Sequence, residues 1–414
     1  MEQKPKGTYD LLPEAAEKFF ALETHLRELL KLYGYREIKT PIFEHSSVFH
    51  RDNELSDMVI KETYNFKDKG GRDLTLRPEG TAGVIRAYVE NKLYTQQVNK
   101  LFYIGPNFRY ERPQKGRFRQ FNQMGIEAIG IKSPSLDAEV ISLSYHIITS
   151  LGLKQVKVKI NSLGDSESKL NYKKALMAYF KDVDGLCEDC ERRKEENPLR
   201  ILDCKIDGKK AVVLKAPMPK DYLTEDAYTY FQSVLAYLDS MDVHYEIEDA
   251  LVRGLDYYGH TVFEVEAKIR DMGAHNILAG GGHYEHLVKE LGGPDLDGVG
   301  VAFGLERLVN AIESEKITLK QEEPLDAYIV TFDYKTHLHG VSLLAKLRDL
   351  GYKVDIDHSL AKFQSQFKKA VQSEANYIII IGDDEIKSDT YQVKDSKKEK
   401  QEALTFAELV RKLG

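Results

Sequence analysis

The stretch Phe108-Arg-Tyr-Glu-Arg-Pro-Gln-Lys-Gly-Arg-Phe-Arg-Gln-Phe-Asn-Gln-Met-Gly-Ile-Glu127 decides the reading of this chain. Alternating residues flank Pro113-Gln-Lys-Gly116, which predicts two β-strands joined by a turn. Residues two and four apart share one face of a strand. On that pattern Arg109 and Glu111 point one way from the first strand, and Gln123 and Glu127 share a face of the second. Arg109, Arg112, Lys115, Arg117 and Arg119 crowd a hairpin that needs no cations to fold. A solvated, salt-bridged hairpin is the plainer account of such charge. Planar guanidinium groups grip phosphates bidentately, and their density here favours a site for a polyphosphate or a nucleic-acid end.

Outward from the hairpin, 414 residues hold two or three domains, and 42% hydrophobic with 30% charged residues is the balance of an ordinary globular protein. The net charge of −7 supplies no bulk basic field, so any RNA partner must be held by local patches. The opening Met-Glu-Gln-Lys-Pro-Lys-Gly has no apolar run, so no secretory signal is expected, and no stretch is apolar enough to cross a bilayer. Three cysteines argue against a disulfide scaffold and for a reducing cytoplasm. Cys187-Glu-Asp-Cys190, with Cys204 further on, supplies three of the four ligands of a zinc knuckle. The spacing names no fourth, so no metal is assigned, and idle or buried thiols are the alternative.

Periodicity orders the rest. Residues 13–33 predict an amphipathic helix opened by Pro13 and closed by Gly34. Residues 35–44 predict an edge strand that leaves its sheet at Pro41, since proline cannot sit in a central strand. Strands are expected at 73–79, 155–162, 244–248 and 253–266, and a strand running into a helix across 298–307. Residues 165–235 turn helical and highly charged, as an inserted helical module would. The segment Ala279-Gly-Gly-Gly282 lacks the spacing of a dinucleotide-binding fingerprint. The fold class expected for 1–320 is α+β, built on an antiparallel sheet. Beyond a Glu/Gln/Pro linker at 319–324, strands and helices alternate through 325–414 as a small α/β domain with a mostly parallel sheet.

Four groups carry chemistry: Thr75-Leu-Arg-Pro-Glu79-Gly-Thr81, the hairpin, Leu251-Val-Arg253-Gly-Leu-Asp256-Tyr257-Tyr258, and Gly298-Val-Gly-Val-Ala-Phe-Gly-Leu-Glu306-Arg307. Each alone is weak; arginines from separated motifs could converge on one triphosphate. Together, with the opening Gly7-Thr-Tyr-Asp-Leu-Leu-Pro13, they resemble the class II aminoacyl-tRNA synthetases, and specifically the histidyl-tRNA synthetase family, over essentially the whole length.

The resemblance implies activation of L-histidine by ATP with Mg²⁺, then transfer to tRNA(His), in a cytoplasmic homodimer joined near Pro41. It implies that Arg109, Glu111, Arg117 and Arg307 bind ATP and that Arg253 orients the attacking carboxylate, with Arg109 on the α-phosphate. Glu79, Thr81 and Gln123 would hold the α-amino end of histidine; Glu127 and Tyr258 would read the imidazole, with Tyr257 and Tyr284 closing the pocket. Arg112 and Gln114 would meet the acceptor end of the tRNA, and residues 325–414 the anticodon. One departure stands out: the family's usual Gly-Arg-Tyr-Asp-Gly is here Gly282-His283-Tyr284-Glu285-His286. That change leaves room for a histidine-sensing regulatory relative or an enzyme charging a non-tRNA acceptor.

Overall fold

The computed structural model describes all residues except 1, 52–56, 96–98, 113–116, 203, 205, 254–256, 271–275, 320–323 and 399. The chain divides into two compact units, Met1–Lys320 and Gln321–Gly414.

The strands of the first unit are β1 (Arg36–Glu37), β2 (Phe43–His45), β3 (Tyr64–Lys67), β4 (Asp73–Leu76), β5 (Asn99–Phe108), β6 (Gln120–Ile129), β7 (Val156–Ser162), β8 (Tyr245–Ile247), β9 (Tyr258–Ala267), β10 (Ile277–Tyr284) and β11 (Gly298–Gly304). Eight of them form one sheet in the order β1-β5-β6-β11-β10-β9-β7-β8, and β2-β4-β3 form a second, small one. The large sheet is antiparallel except at its two edges, where β1 and β8 pair parallel with their neighbours. The segment predicted as one edge strand is thus split: β1 ends before Pro41, and β2 joins the small sheet. Pro41 has no N–H to continue a ladder, which is the physical reason for the split.

Alternation along the central strands sorts side chains between the two faces of the large sheet. Met124, Ile126 and Ala128 on β6, Phe263 and Val265 on β9, and Val299, Val301 and Phe303 on β11 enter the main hydrophobic core. The helices Pro13–Leu32, Pro134–Ser150 and Glu225–Ser240 cover that face with Leu22, Leu26, Ile141, Ile147, Val234 and Leu238, among others. Leu22, Leu26 and Leu30 are fully buried, each stabilising by roughly 1.5–3 kcal/mol relative to exposure. The opposite face carries the intervening residues, including Tyr103, Tyr258 and Tyr284, which pack with Val84, Ile85 and Tyr88 of the helix Thr81–Glu90. The candidate site opens on this second face.

The expected helical module is narrower than 165–235. A separate core of Tyr172, Leu176, Phe180, Cys190, Ile201, Val213 and Ala216 gathers the helices Ser166–Phe180, Glu188–Glu196, Leu199–Leu202 and Ala211–Leu214. The helix Glu225–Ser240 turns its Phe231, Val234, Leu235 and Leu238 into the main core instead.

The second unit holds β12 (Ala327–Thr331), β13 (Val354–Ile356), β14 (Tyr377–Ile381), β15 (Tyr391–Asp395) and β16 (Gln401–Leu404) in the order β13-β12-β14-β15-β16. The first three are parallel, as strand–helix alternation predicts; β15 and β16 add an antiparallel edge. The helix Tyr334–Asp349 opens on a capping box formed by Asp333 and Thr336. Among the described residues, no helix is long and apolar enough to cross a membrane.

Candidate active site

A cavity of about 520 Å³ opens over β6, β11, β10 and β9. Its walls include Glu79, Thr81, Arg109, Glu111, Arg117, Gln123, Glu127, Arg253, Tyr257, Tyr258, Tyr284 and Arg307, so residues from all four sequence groups meet in one place. Arg112 is exposed and does not line it. Gln114 lies outside the described residues, as do Gly254, Leu255 and Asp256.

The hairpin differs from its prediction in one respect. The strand β5 ends at Phe108, so Arg109 and Glu111 do not share a strand face. Pairing runs one step further through Arg109 N–H to the Arg119 carbonyl at 2.9 Å, beyond which the chain leaves the ladder. Both side chains still reach the cavity because irregular backbone places them on its rim. Arg253 likewise lies before β9 rather than within the predicted strand 253–266.

The closed end of the cavity is built around Glu127. It is 1% exposed and accepts hydrogen bonds from Thr81 Oγ1 at 2.6 Å and Tyr284 OH at 2.9 Å. Burial pushes its carboxyl up to about 8 despite those two donors. Glu127 pairs with Gly300 on β11, and a Cβ there would overlap its carboxylate, so glycine makes the room. Tyr103 fills the space over Gly80 and Gly125 in the same way. Tyr257 lies 4.8 Å from Tyr258 and 5.9 Å from Tyr284, ring centre to ring centre, and burial raises the Tyr258 phenol to about 12. Glu79 uses both oxygens to cap the helix Thr81–Glu90, accepting from Thr81 N at 2.6 Å and Ala82 N at 2.9 Å. Gln123 Oε1 accepts from Asn107 Nδ2 at 2.5 Å.

The open end is cationic. Arg109 donates from Nε to the Pro78 carbonyl at 2.8 Å and lies over the Phe121 ring. Arg307 donates to the Ile277 carbonyl at 3.0 Å; burial, with Arg117 and Arg109 nearby, lowers its pKa. Among the described residues, neither Arg109 nor Arg307 pairs with a carboxylate. Arg117 pairs with Glu111 at 3.0 Å, and Arg253 pairs with Glu264. Arg253 rests over Gly280, where a Cβ would occupy the guanidinium's place. Arg109 and Arg307, held by backbone carbonyls and not paired with a carboxylate, leave charge available for an anionic ligand.

Sequence reasoning missed two supports. Glu264, the partner of Arg253, reads as an unremarked position of an alternating strand. Glu306 accepts from Asn122 N at 2.6 Å and from Tyr9 OH, and so ties the Gly7–Tyr9 segment to the hairpin. Gly7 helps, since its carbonyl takes the Arg119 N–H at 2.8 Å and its φ of +87° suits glycine.

Comparison with known proteins agrees with this geometry. The family model described as histidyl-tRNA synthetase matches residues 7–308, and one described as anticodon binding domain matches 326–414. A histidine–tRNA ligase of Acholeplasma laidlawii is 56% identical over 400 residues, covering 96% of this chain and 95% of that protein. One from Listeria monocytogenes is 46% identical over 416 residues, covering 100% and 98%. The apo S. aureus histidyl-tRNA synthetase structure superposes with a TM-score of 0.85 at 40% identity, each chain covered completely. The chain belongs to the histidyl-tRNA synthetase family.

Within that family, the two substituted histidines have physical explanations. His283, 1% exposed, lies between Asp137 (Nδ1–Oδ1, 3.0 Å) and Asp297 (Nε2–Oδ2, 3.3 Å). Burial alone would discharge it, but the two carboxylates overcome that and raise it to about 9. His283 thus bridges two carboxylates at the position where the family pattern leads one to expect arginine. His286 adopts a φ of +63°, the left-handed region, which explains why glycine is usual there.

Proposed function

We propose that this chain activates histidine with ATP to histidyl-adenylate and pyrophosphate, then transfers the histidyl group to the 3′-terminal adenosine of tRNA(His). The observation that carries the reading is the cavity itself: a closed end of buried hydrogen-bonding groups, and an open end of guanidiniums.

Glu127 and Tyr258 read the imidazole, with Tyr257 and Tyr284 as walls; imidazole offers a donor and an acceptor, and a buried acid beside a phenol satisfies both. Glu79, Thr81 and Gln123 take the α-ammonium, which neutralises the Glu79 carboxylate already capping a helix. Arg253 fixes the substrate carboxylate, whose oxygen attacks the α-phosphorus while the bond to the bridging oxygen breaks and pyrophosphate leaves. Arg109 meets the α-phosphate, and Arg117 and Arg307 the outer phosphates, quenching charge where it develops. ATP would enter as its Mg²⁺ complex, and Glu111 and Glu264, each paired with an arginine on the same walls, would be the carboxylates to hold that hard cation. In the second step a ribose hydroxyl attacks the activated carbonyl and AMP departs.

Arg112, exposed on the hairpin, and Gln114 are assigned to the tRNA acceptor end, and the domain from 325 to the anticodon. A homodimer is supported by the small sheet, where Phe43 and Phe66 meet edge to face at 6.4 Å and stay exposed beside Ile42. A cytoplasmic setting accords with three free cysteines. No observation favours the regulatory or non-tRNA-acceptor alternatives. The test is charging of purified tRNA(His) with labelled histidine, ATP and Mg²⁺. Histidine-only charging is expected; folded protein that exchanges pyrophosphate but charges no tRNA would point to another acceptor, and absence of both would overturn the reading.

A further inference from the structure

The helical module contains a side-chain cluster that the reaction above does not use. Cys187, Cys190, Cys204 and Asp207 each offer one ligand atom, and the four atoms all lie within 4.8 Å of one another. Cys187 Sγ and Cys204 Sγ are 3.7 Å apart. Two thiolates on one tetrahedral zinc, at Zn–S of about 2.3 Å, stand roughly 3.8 Å apart. In sequence the four form two pairs of equal spacing, Cys187-Glu-Asp-Cys190 and Cys204-Lys-Ile-Asp207. The fourth ligand that the cysteine spacing alone could not name is therefore an aspartate.

The surroundings suit thiolates. The N–H groups of Ile206 and Asp207 both donate to Cys204 Sγ at 3.4 Å. Asp207 is fully buried and accepts the Cys187 N–H at 2.7 Å, which locks the second pair onto the first. Its Oδ1 is paired with Lys210 at 2.7 Å, and the same ammonium also donates to the Gly185 carbonyl. A Cβ at Gly208 would meet the Cys204 carbonyl at 2.6 Å, so the turn closes only with glycine. Three thiolates and a carboxylate on a dication leave two net negative charges. Lys210 and Arg193, the latter 3.9 Å from Cys190 Sγ, offset them.

The module also has need of a staple. The helix Glu188–Glu196 buries only Cys190, and Leu199–Leu202 and Ala211–Leu214 are single turns that do not persist alone. A disulfide would use two thiols and leave the third, with the buried carboxylate, unexplained.

We propose that Cys187, Cys190, Cys204 and Asp207 bind one structural zinc ion. Four protein ligands close the coordination sphere, so the ion holds the module together and does no chemistry. The module in turn reaches the candidate site: Arg200, on the turn just before Cys204, donates from Nη1 to the Arg253 carbonyl at 2.9 Å.

The test is metal analysis of the full chain purified under reducing conditions without chelator, with cobalt(II) substitution as a second readout. About one zinc per chain is expected, with a thiolate-to-cobalt charge-transfer band and tetrahedral d–d bands on exchange. Cys204→Ser and Asp207→Asn should each lose the metal. Should a variant fail to fold, the cobalt spectrum of the unaltered protein decides alone. Folded protein that carries no zinc, develops no cobalt–thiolate band, and has three thiols whose reactivity zinc does not change would overturn the proposal.

Discussion

Strand β10 runs between two polar clusters that handle charge in opposite ways. Near Gly280 it borders the cavity, where Arg109 and Arg307 are held by backbone carbonyls and face open space. Three residues further on, His283 is sealed between Asp137 and Asp297, and Glu285 accepts from His260 at 3.1 Å with Lys169 and Lys132 beside it. Burial would raise Glu285, yet the His260 hydrogen bond and the two lysines hold it down at about 2. In the sealed cluster charge is consumed internally and contributes to folding. In the cavity, at Arg109 and Arg307, it is left unspent for a ligand. Charged side chains on one sheet therefore divide by whether their counter-charge belongs to the protein.

The comparison can be broken at four points. The largest effect is expected from Arg253→Ala, which should lower histidine-dependent pyrophosphate exchange on the order of 10³-fold with little change in thermal midpoint. Near-normal exchange would remove Arg253 from the cavity's working set. Glu127→Gln should raise KM for histidine by roughly 10²-fold or more while leaving KM for ATP nearly unchanged; an equal rise in both would make its role structural.

His283→Gln should show the reverse profile: near-normal KM for histidine and a loss of roughly 2–3 kcal/mol in denaturant unfolding. The sign with pH follows from a pKa raised from 6.5 to about 9. The stabilisation is fully present below about 6.5 and disappears as pH climbs through about 9. Unfolding curves measured across that window should converge for the parent protein and the variant; parallel curves would mean that His283 is not charged in the fold. The smallest effect is expected at the surface, where His286→Gly should gain about 0.5–1 kcal/mol by relieving its left-handed backbone. A loss there would show that its exposed contacts with Asp295 and Ser166 outweigh the strain.

The cavity was legible in the sequence because arginines in a hairpin and glycines in a strand break local expectation, and because the family resemblance names the residues, Glu127 among them. Their partners were not. Glu264 sits where an alternating strand carries an acid anyway, and Glu306 follows leucine at a helix start, where acids are common. Asp207 was hidden by short, charged turns with no periodicity to mark them, although its spacing from Cys204 repeats that of Cys187 and Cys190. The strands β15 and β16 carry polar residues on an edge and gave no apolar signal. The division of the helices between two cores depended on tertiary packing that composition cannot report.

Gly280 has a consequence for how this protein can vary. The three atoms that a methyl group there would meet first all belong to the end of the Arg253 side chain, a flexible group. Gly280→Ala would thus push aside the guanidinium that we propose receives the substrate carboxylate, a defect that no substrate concentration could overcome. Expression and folding assays would pass such a chain as healthy. In a population of genes it would be a silent lesion, visible only to translation.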